Sequence, residues 1–415
     1  MPESESTNGH RQNFYLRAIV IIVVLFAAVS ILLFYYQSIR NFFKFDEIDF
    51  TSYIRASGWF FDGENPFQEA PRRFIYPLFM LLVVYPLTFL QKGQFWSGVS
   101  IALWSAGAYV SFFATLSAAW KYLYRYKTKY AALRRNLFPT ALMILMLHPF
   151  LQDEFINGQV NLYVLGALAG FFFFLTRKKA FPAALMLAAA ASIKISPALC
   201  LLLIFFDRQY RIVFYFVILM LIFNIGIPYL VNSESINYYG YVVSEVLPRV
   251  SESDFQHGFR QFSIISTLSY LFDIHWNPLI KMGALSILSL GLFIPVIKYG
   301  SGSYHEASPL YRFSIFASVV SIIPLVFPMS EPHHLLLQAI PVLAILGYWK
   351  IVVDHKEGFW RDGLSLLFLI CIISFHVGHG LKDTPIRLFS LLGVYFGMIW
   401  LLKRLSPGQF QSGGS

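Results

Sequence analysis

Long apolar runs alternate along this chain with short polar segments. The first apolar run covers residues 14–37 and follows the polar N-terminal sequence MPESESTNGHRQN. A run of this kind predicts a membrane-spanning helix, which needs about 20 predominantly apolar residues. The same pattern predicts further spans at residues 95–119, 137–151, 160–176, 211–230, 279–298, 310–327, 334–352, 363–380 and 385–403.

Two apolar segments do not fit a simple span. Residues 74–91 contain Pro77 and Pro86, and residues 181–206 are interrupted by Lys194 and Pro197. Broken helices that enter and leave on one side are tolerated where protein lines them, and the interruptions favour that interpretation. The alternative makes both segments full spans.

The basic loop at residues 121–135 distinguishes these two topologies. It contains no acid, and short basic loops belong on the cytoplasmic side of a membrane. The re-entrant topology places it there, whereas the full-span topology places it outside. Its basic residues are Lys121, Arg125, Lys127, Lys129, Arg134 and Arg135.

Composition supports an all-α integral membrane protein. Hydrophobic residues make up 57% of the 415 residues and charged residues only 13%, against about 25% charged in soluble domains. We therefore predict one multi-span bundle of about 10–12 segments, some re-entrant, with interfacial helices in the first outer loop. Residues 14–404 form its single domain, between a disordered cytoplasmic tail at 1–13 and a flexible tail at 405–415.

The net charge of +10 has a membrane explanation. The basic residues cluster in short loops, which indicates topology signals and contact with anionic membrane lipids rather than nucleic acid. Cys200 and Cys371 lie in separate apolar runs without zinc-site spacing. We expect neither a disulfide nor a cofactor, and a divalent metal is possible but not favoured.

The polar stretch after the first span contains the leading catalytic candidate. Asp49 precedes Phe50, Tyr53 and a Trp/Phe-rich run that predicts an interfacial helix. Such a helix would hold the carboxylate beside the bilayer, where it could take a proton from an acceptor hydroxyl. The alternative is a solvated acidic loop after a span.

A second polar group lies in the segment HPFLQDEFINGQVN at residues 148–161, which we predict to be an outer turn between two spans. Its polar side chains suit a sugar or a cation. The alternative is a hydrated turn in which the last of them caps the following helix. The candidates for binding sugar or acceptor are Asp153, Glu154, Gln159 and Asn161, together with Tyr53.

Basic residues supply candidates for binding a phosphate. Lys194 lies in the apolar sequence AAAASIKISPAL, and a lysine in such a position is costly enough to indicate function, although it could be paired inside the bundle. His333 and His334 precede a predicted helix, and a structural role is the alternative for both. Arg260 and Gln261 lie in a loop that could bind phosphate and sugar or be an ordinary interfacial loop.

Several stretches, in order along the chain, resemble glycosyltransferase family 87, the polyprenol-phosphate-mannose-dependent α-mannosyltransferases of the GT-C superfamily. They are DFTSYIRA at 49–56, FIYPLFMLLVVYPL at 74–87, GQVN at 158–161, SIKISP at 192–197 and SEPHHLLLQAIP at 330–341. The resemblance implies a GT-C multi-span bundle with an extracytoplasmic active site. It also implies a lipid-linked sugar phosphate as donor and Asp49 as the catalytic base.

The residues and the resemblance together predict a membrane glycosyltransferase. It would transfer a sugar, most simply mannose, from a polyprenyl-phosphate donor to a lipid or glycan acceptor with inversion. We expect it in a bacterial plasma membrane with an extracytoplasmic active site. The alternatives are a transporter or flippase of lipid-linked sugars, which would show internal symmetry, and a non-catalytic membrane subunit, whose polar residues would not converge.

Overall fold

The computed structural model describes residues 4–44, 48–69, 76–91, 93–124, 136–246, 263–274, 277–300, 308–327, 332–354 and 385–406. Helices, and no strand, form within these ranges. The α-helices are α1 Ser4–Lys44, α2 Asp49–Phe61, α3 Pro66–Glu69, α4 Phe79–Thr88, α5 Gln94–Tyr124, α6 Leu137–Met146, α7 His148–Asn157, α8 Asn161–Leu175, α9 Ala180–Ile193, α10 Ile204–Asp207, α11 Arg211–Leu221, α12 Ile227–Val231, α13 Ser235–Tyr241, α14 Ile264–Phe272, α15 Pro278–Gly300, α16 Pro309–Val326, α17 Ala339–Asp354 and α18 Ile386–Leu405.

Short helices of other types complete these elements. Ser196–Leu203 and Pro332–Gln338 are 3₁₀ helices, and Ile222–Gly226 and Val242–Val246 are π-helical turns. The first π turn joins α11 to α12 within one apolar stretch. α1 begins at Ser4, inside the segment that the sequence predicts to be a tail.

The helices form a multi-span membrane bundle, as the sequence predicts. Six stretches in the described part of the chain are long and apolar enough to cross a bilayer: Val20–Phe43, Gln94–Tyr124, Arg211–Val231, Gly283–Gly300, Pro309–Val326 and Ile386–Leu405. A bent pair, α7 and α8, can supply a seventh. The shorter apolar helices are Phe79–Thr88, Leu137–Met146, Ala180–Ile193 and His334–Trp349. The predicted span 363–380 lies outside the described residues.

α16 is the central helix of the bundle. Of its apolar window 89% is buried inside the protein, against 17% for Val20–Phe43. The outer helices expose large apolar side chains such as Leu25 and Leu32, which is stable only where lipid replaces water around them. Burial against other helices therefore separates α16 from the lipid-facing helices.

Contacts between α1 and α5 define the two ends of the bundle. The hydroxyls of Ser38 and Ser105 lie 2.7 Å apart, and the Tyr109 hydroxyl donates to the Ile31 carbonyl at 2.6 Å. The two helices are therefore antiparallel. We call the end at which α1 ends and α2 begins the Asp49 end, and the end at which α5 finishes the opposite end.

Residues 180–209 enter and leave the bundle at the opposite end, as the re-entrant topology predicts. α9 ends at Ile193, and Lys194 has an extended backbone with φ −149° and ψ 124°. The chain then returns through a 3₁₀ helix and α10, and the Gln209 amide donates to the Leu175 carbonyl at 2.8 Å. Since Leu175 ends the preceding helix, the chain has come back to the level at which α9 began.

The described part of the proline-containing segment, residues 76–91, also stays on one side of the bundle. Its helix, α4, runs along α2: the Ser57 hydroxyl donates to the Leu81 carbonyl at 2.9 Å, and the rings of Phe61 and Tyr85 stack. Ten residues of α-helix span only about 15 Å. α2 and α4 thus form a two-helix layer at the Asp49 end, which confirms the helix predicted after Asp49. Its position at the membrane interface stays a prediction.

One predicted span and one predicted turn are wrong. The span 137–151 is divided, because α6 ends at Met146 and Pro149, at the start of α7, has no N–H to continue the helix. The predicted turn at 148–161 is therefore mostly helix, and the chain turns only after Asn157. α7 and α8 meet there at 115°.

Candidate active site

Asp49 is held at the first position of α2 by the residue that follows it. Its carboxylate in the first helical turn is favoured by the helix dipole. Phe50 is fully buried, and its ring packs against Trp104 with centroids 5.6 Å apart. Because Phe50 is fixed in the protein, the adjacent Asp49 is fixed with it, at the surface between α2 and the rest of the bundle.

Gly158 packs against Phe50 and is hydrogen-bonded to Trp104. It caps α7 in the left-handed conformation, with φ 64° and ψ 43°, which glycine adopts without steric cost. Its carbonyl accepts a hydrogen bond from the Trp104 indole at 2.9 Å. A Cβ atom at this position would lie 2.6 Å from the Phe50 Cβ, so both the backbone angle and the space require glycine.

The Asp49 carboxylate accepts a hydrogen bond from the side-chain amide of Gln159. The Gln159 Oε1 in turn accepts from the hydroxyls of Tyr53 at 3.0 Å and Tyr76 at 3.3 Å. An ionised carboxylate can only accept, so the Gln159 nitrogen must face Asp49 and its oxygen must face the tyrosines. One amide thus connects Asp49 to the hydroxyls of the buried Tyr53 and the half-buried Tyr76.

Tyr53 is fully buried, and its surroundings keep its hydroxyl neutral. Burial raises the pKa of Tyr53 well above its usual value, and the neighbouring Tyr76 and Asp49 raise it further. The sign follows from charge: burial and nearby negative groups both disfavour phenolate. The hydroxyl therefore remains a hydrogen-bond donor at physiological pH.

Glu154, Asn161 and Lys194 form a second network on the same turn. The buried Glu154 carboxylate accepts from the Asn161 amide at 2.8 Å and from the Leu162 N–H at 2.9 Å. The Asn161 Oδ1 accepts from the Lys194 Nζ at 3.1 Å. Lys194 lies where α9 breaks, so its ammonium reaches the same end of the bundle as Asp49.

The remaining candidate residues take no part in the hydrogen bonds described above between the turn 158–161 and Asp49 or Lys194. The 3₁₀ helix Pro332–Gln338, which contains His333 and His334, packs against α7 and α8, and His334 is half-buried. Asp153 Oδ1 accepts from the Asn157 amide at 3.0 Å. Arg260 and Gln261 lie outside the described residues. Sugar or phosphate binding by these residues stays a prediction.

Three residues that the sequence did not identify contribute to this region. Tyr76 bonds to Gln159, and Trp104 fixes Gly158. Arg387, at the start of α18, is buried and interacts electrostatically with Asp153. Only Tyr76 had a detectable signal, because it belongs to the stretch FIYPLFMLLVVYPL and stands directly before Pro77.

The arrangement combines two chemical capacities at one end of a membrane bundle. Asp49 is an oriented carboxylate that can accept a proton, and Lys194 is a cation that can bind an anion. Both are hydrogen-bonded to the four-residue turn 158–161: Asp49 to the Gln159 side chain and Lys194 to the Asn161 side chain. The site therefore suits a reaction that deprotonates one substrate and stabilises negative charge on another.

Comparison with known proteins gives one match. The model of glycosyltransferase family 87 matches residues 74–328, a stretch that includes the turn 158–161 and Lys194 but begins after Asp49 and ends before His333. The search of curated proteins found no match, and neither did the search of solved structures.

Proposed function

We propose a donor and a chemical step from one premise: this chain belongs to glycosyltransferase family 87, and it is a membrane glycosyltransferase. The sugar, mannose in the simplest case, is transferred from a polyprenyl phosphate to a lipid or glycan acceptor. The observation that carries this proposal is that the Asp49 carboxylate and the Lys194 ammonium are both hydrogen-bonded to side chains of the turn 158–161. A lipid-phosphate donor suits a site whose cation lies beside apolar helices.

Asp49 acts as the general base in this proposal. An acceptor hydroxyl attacks the anomeric carbon while the bond from that carbon to the phosphate oxygen breaks. The hydroxyl proton passes to Asp49, and the bonding electron pair leaves with the phosphate. Because phosphate is a good leaving group, one carboxylate suffices. A single displacement inverts the anomeric configuration.

Lys194 binds the donor phosphate in this proposal, with His333, His334 and Arg260 as further candidates. A lysine ammonium has three donors, so it can serve Asn161 and a phosphate oxygen together. The negative charge that develops on the leaving phosphate is then stabilised by the Lys194 ammonium, which Asn161 orients before the substrate binds. Such preorganised charge is usually a large contribution to catalysis.

Release of polyprenyl phosphate tests this donor. Purified protein with a membrane lipid extract as acceptor is given polyprenyl-phosphate mannose, glucose and galactose, and the same sugars on nucleoside diphosphates. We expect release from a polyprenyl-phosphate sugar, and Lys194→Met should raise the KM for that donor more than the KM for acceptor. Lys179→Met, at the exposed start of the same helix, should leave both unchanged. Turnover of nucleotide sugars alone would contradict the proposal.

The active site is extracytoplasmic in this proposal, and the protein belongs in a bacterial plasma membrane. Basic residues collect at the opposite end of the bundle, where positive charge indicates cytoplasm. They are Lys121, Arg177, Lys178, Lys179, Arg208, Lys403 and Arg404. The Asp49 end, with its acidic and aromatic α2 layer, then faces outwards, where lipid-linked sugars are used.

Cysteine labelling in intact cells tests this sidedness. In a chain whose Cys200 and Cys371 are replaced by alanine, Glu64→Cys lies exposed after α2 and Lys179→Cys lies exposed before α9. A membrane-impermeant maleimide should label the first and not the second, and detergent should make both reactive. Labelling of Lys179→Cys without detergent would reverse the proposed orientation.

A further inference from the structure

We propose that Glu154 and Asn161 are positioning residues that set where the Lys194 ammonium lies relative to the Asp49 carboxylate. The sequence suggested direct sugar binding for both. The structure buries both side chains and joins them to Lys194. The inference rests on the proposed function, because Asp49 and Lys194 are its base and its phosphate ligand.

Glu154 fixes the turn through both its main chain and its side chain. Its backbone carbonyl accepts from the N–H groups of Gly158 and Gln159, the latter at 2.9 Å. Its carboxylate accepts from the Asn161 amide and the Leu162 N–H. One residue therefore bonds to both ends of the turn, and the turn carries Gln159 and Asn161 with it.

A carboxylate suits this position for a local reason. Leu162 belongs to the first turn of α8, whose N–H groups have no partner within the helix. A negative charge at a helix N-terminus is also favoured by the helix dipole. Glu154 thus satisfies a backbone donor that would otherwise be buried without a partner, and it does so from the preceding helix across the 115° bend.

The charge on Glu154 also decides which way Asn161 points. Because the carboxylate can only accept, it requires the Asn161 nitrogen, and the Asn161 oxygen is then directed at Lys194. Lys194 has left the helix and has an extended backbone, so helical geometry alone does not place its side chain. We infer that Asn161, oriented by Glu154, does.

Val160 separates the two amides on the turn and is fully buried. Gln159 reaches the base on one side of it, and Asn161 reaches the cation on the other. The separation between base and cation is thus determined by one rigid turn. Misplacement by about 1 Å costs about 100-fold in rate for well-positioned reactions, so the turn has direct consequences for transfer.

Exchange of the acid and amide between positions 154 and 161 tests this role. Glu154→Gln alone turns a buried acceptor into a group that also donates, and Asn161→Asp alone places two carboxylates in contact. We expect each single substitution to raise the KM for donor more than the KM for acceptor and to lower Tm. The double substitution reverses the hydrogen bond and keeps the net charge, and a carboxylate oxygen still faces Lys194. It should restore both quantities most of the way.

Three outcomes would overturn the inference. The first is a double substitution that restores Tm but not donor KM, which would make the pair purely structural. The second is a double substitution that restores neither quantity, and the third is a pair of single substitutions that changes neither. Glu234→Gln is the matched control, because Glu234 accepts from the Asn237 amide at 2.6 Å in an exposed pair. It should change neither Tm nor donor KM.

The Tm measurements need no substrate, so they separate this inference from the proposed function. If the exchange restores Tm while the unmodified protein releases polyprenyl phosphate from no donor, the proposed function is wrong and the hydrogen-bonded pair stands. If the unmodified protein uses the donor and the exchange restores nothing, the proposed function stands and the positioning role of Glu154 and Asn161 is wrong. Donor KM then reports whether the pair acts through Lys194.

Discussion

Asp49→Asn is expected to lower the turnover number by about 100- to 10,000-fold, the usual range for loss of a general base. The substituted amide cannot take the acceptor proton, but its oxygen can still accept the hydrogen bond from Gln159. Substrate binding and folding should therefore change little. Steady-state transfer from the polyprenyl-phosphate donor measures the turnover number, and a thermal melt checks the fold.

Asp62→Asn is the matched control for this substitution. Asp62 caps the other end of α2 and is exposed, so it shares the helix, the charge and the compartment but not the contact with Gln159. Its activity should stay within about twofold of the unmodified protein, as expected for a surface substitution of small effect. Near-normal turnover in Asp49→Asn would show that the base is elsewhere.

Gly158→Ala is expected to lower activity by about 100-fold, through displacement of Asp49 rather than loss of a reacting group. The added methyl group meets the Phe50 Cβ at 2.6 Å, and that atom cannot move without α2. A left-handed backbone on a non-glycine residue also costs of order 1–3 kcal/mol. Kinetics and chemical denaturation of the purified protein measure the two effects.

Gly63→Ala separates the backbone cost from the contact. Gly63 also has a left-handed backbone, with φ 90°, but a Cβ there meets no atom within 4 Å. Its substitution should lower stability while activity remains near normal. If Gly158→Ala retained full turnover, or if both substitutions reduced it equally, the contact between Gly158 and Phe50 would not be what positions the base.

Membership of the family argues against the main alternative that the sequence allowed, a transporter or flippase of lipid-linked sugars. A transporter or flippase would explain Lys194 and the broken helices, but the chain belongs to a glycosyltransferase family. A non-catalytic subunit predicts polar residues that do not converge. Asp49, Gln159, Asn161 and Lys194 instead form hydrogen bonds around one turn.

Local sequence was sufficient where a single physical constraint acts on a short segment. The apolar runs predicted the spans, because lipid permits only helices with satisfied backbones there. Lys194 and Pro197 predicted the break after Ile193. Asp49 followed by aromatic residues predicted α2, since an acidic first turn and an apolar face are properties of the segment itself.

Local sequence failed where two segments compete or cooperate. The sequence predicted an outer turn at 148–161 in which Glu154 binds a sugar or a cation, yet Glu154 lies in α7 and is buried. The cost of desolvating its carboxylate is offset by hydrogen bonds from the Asn161 amide and the Leu162 N–H. No pattern within residues 148–157 predicts that those two donors lie within hydrogen-bonding distance. The division of the predicted span 137–151 has a different origin, because Pro149 lies within the segment and cannot continue the helix.

The sequence by itself determined that this chain is a helical membrane protein, that a helix breaks at Lys194, and which carboxylate leads the candidates. Only the tertiary structure decided that Gln159 contacts Asp49 across 110 positions of the chain and that Asn161 contacts Lys194 across 33. The physical reason is range. Hydropathy and backbone preference act on neighbouring residues, whereas a hydrogen bond between buried side chains depends on which helices pack together and at what angle.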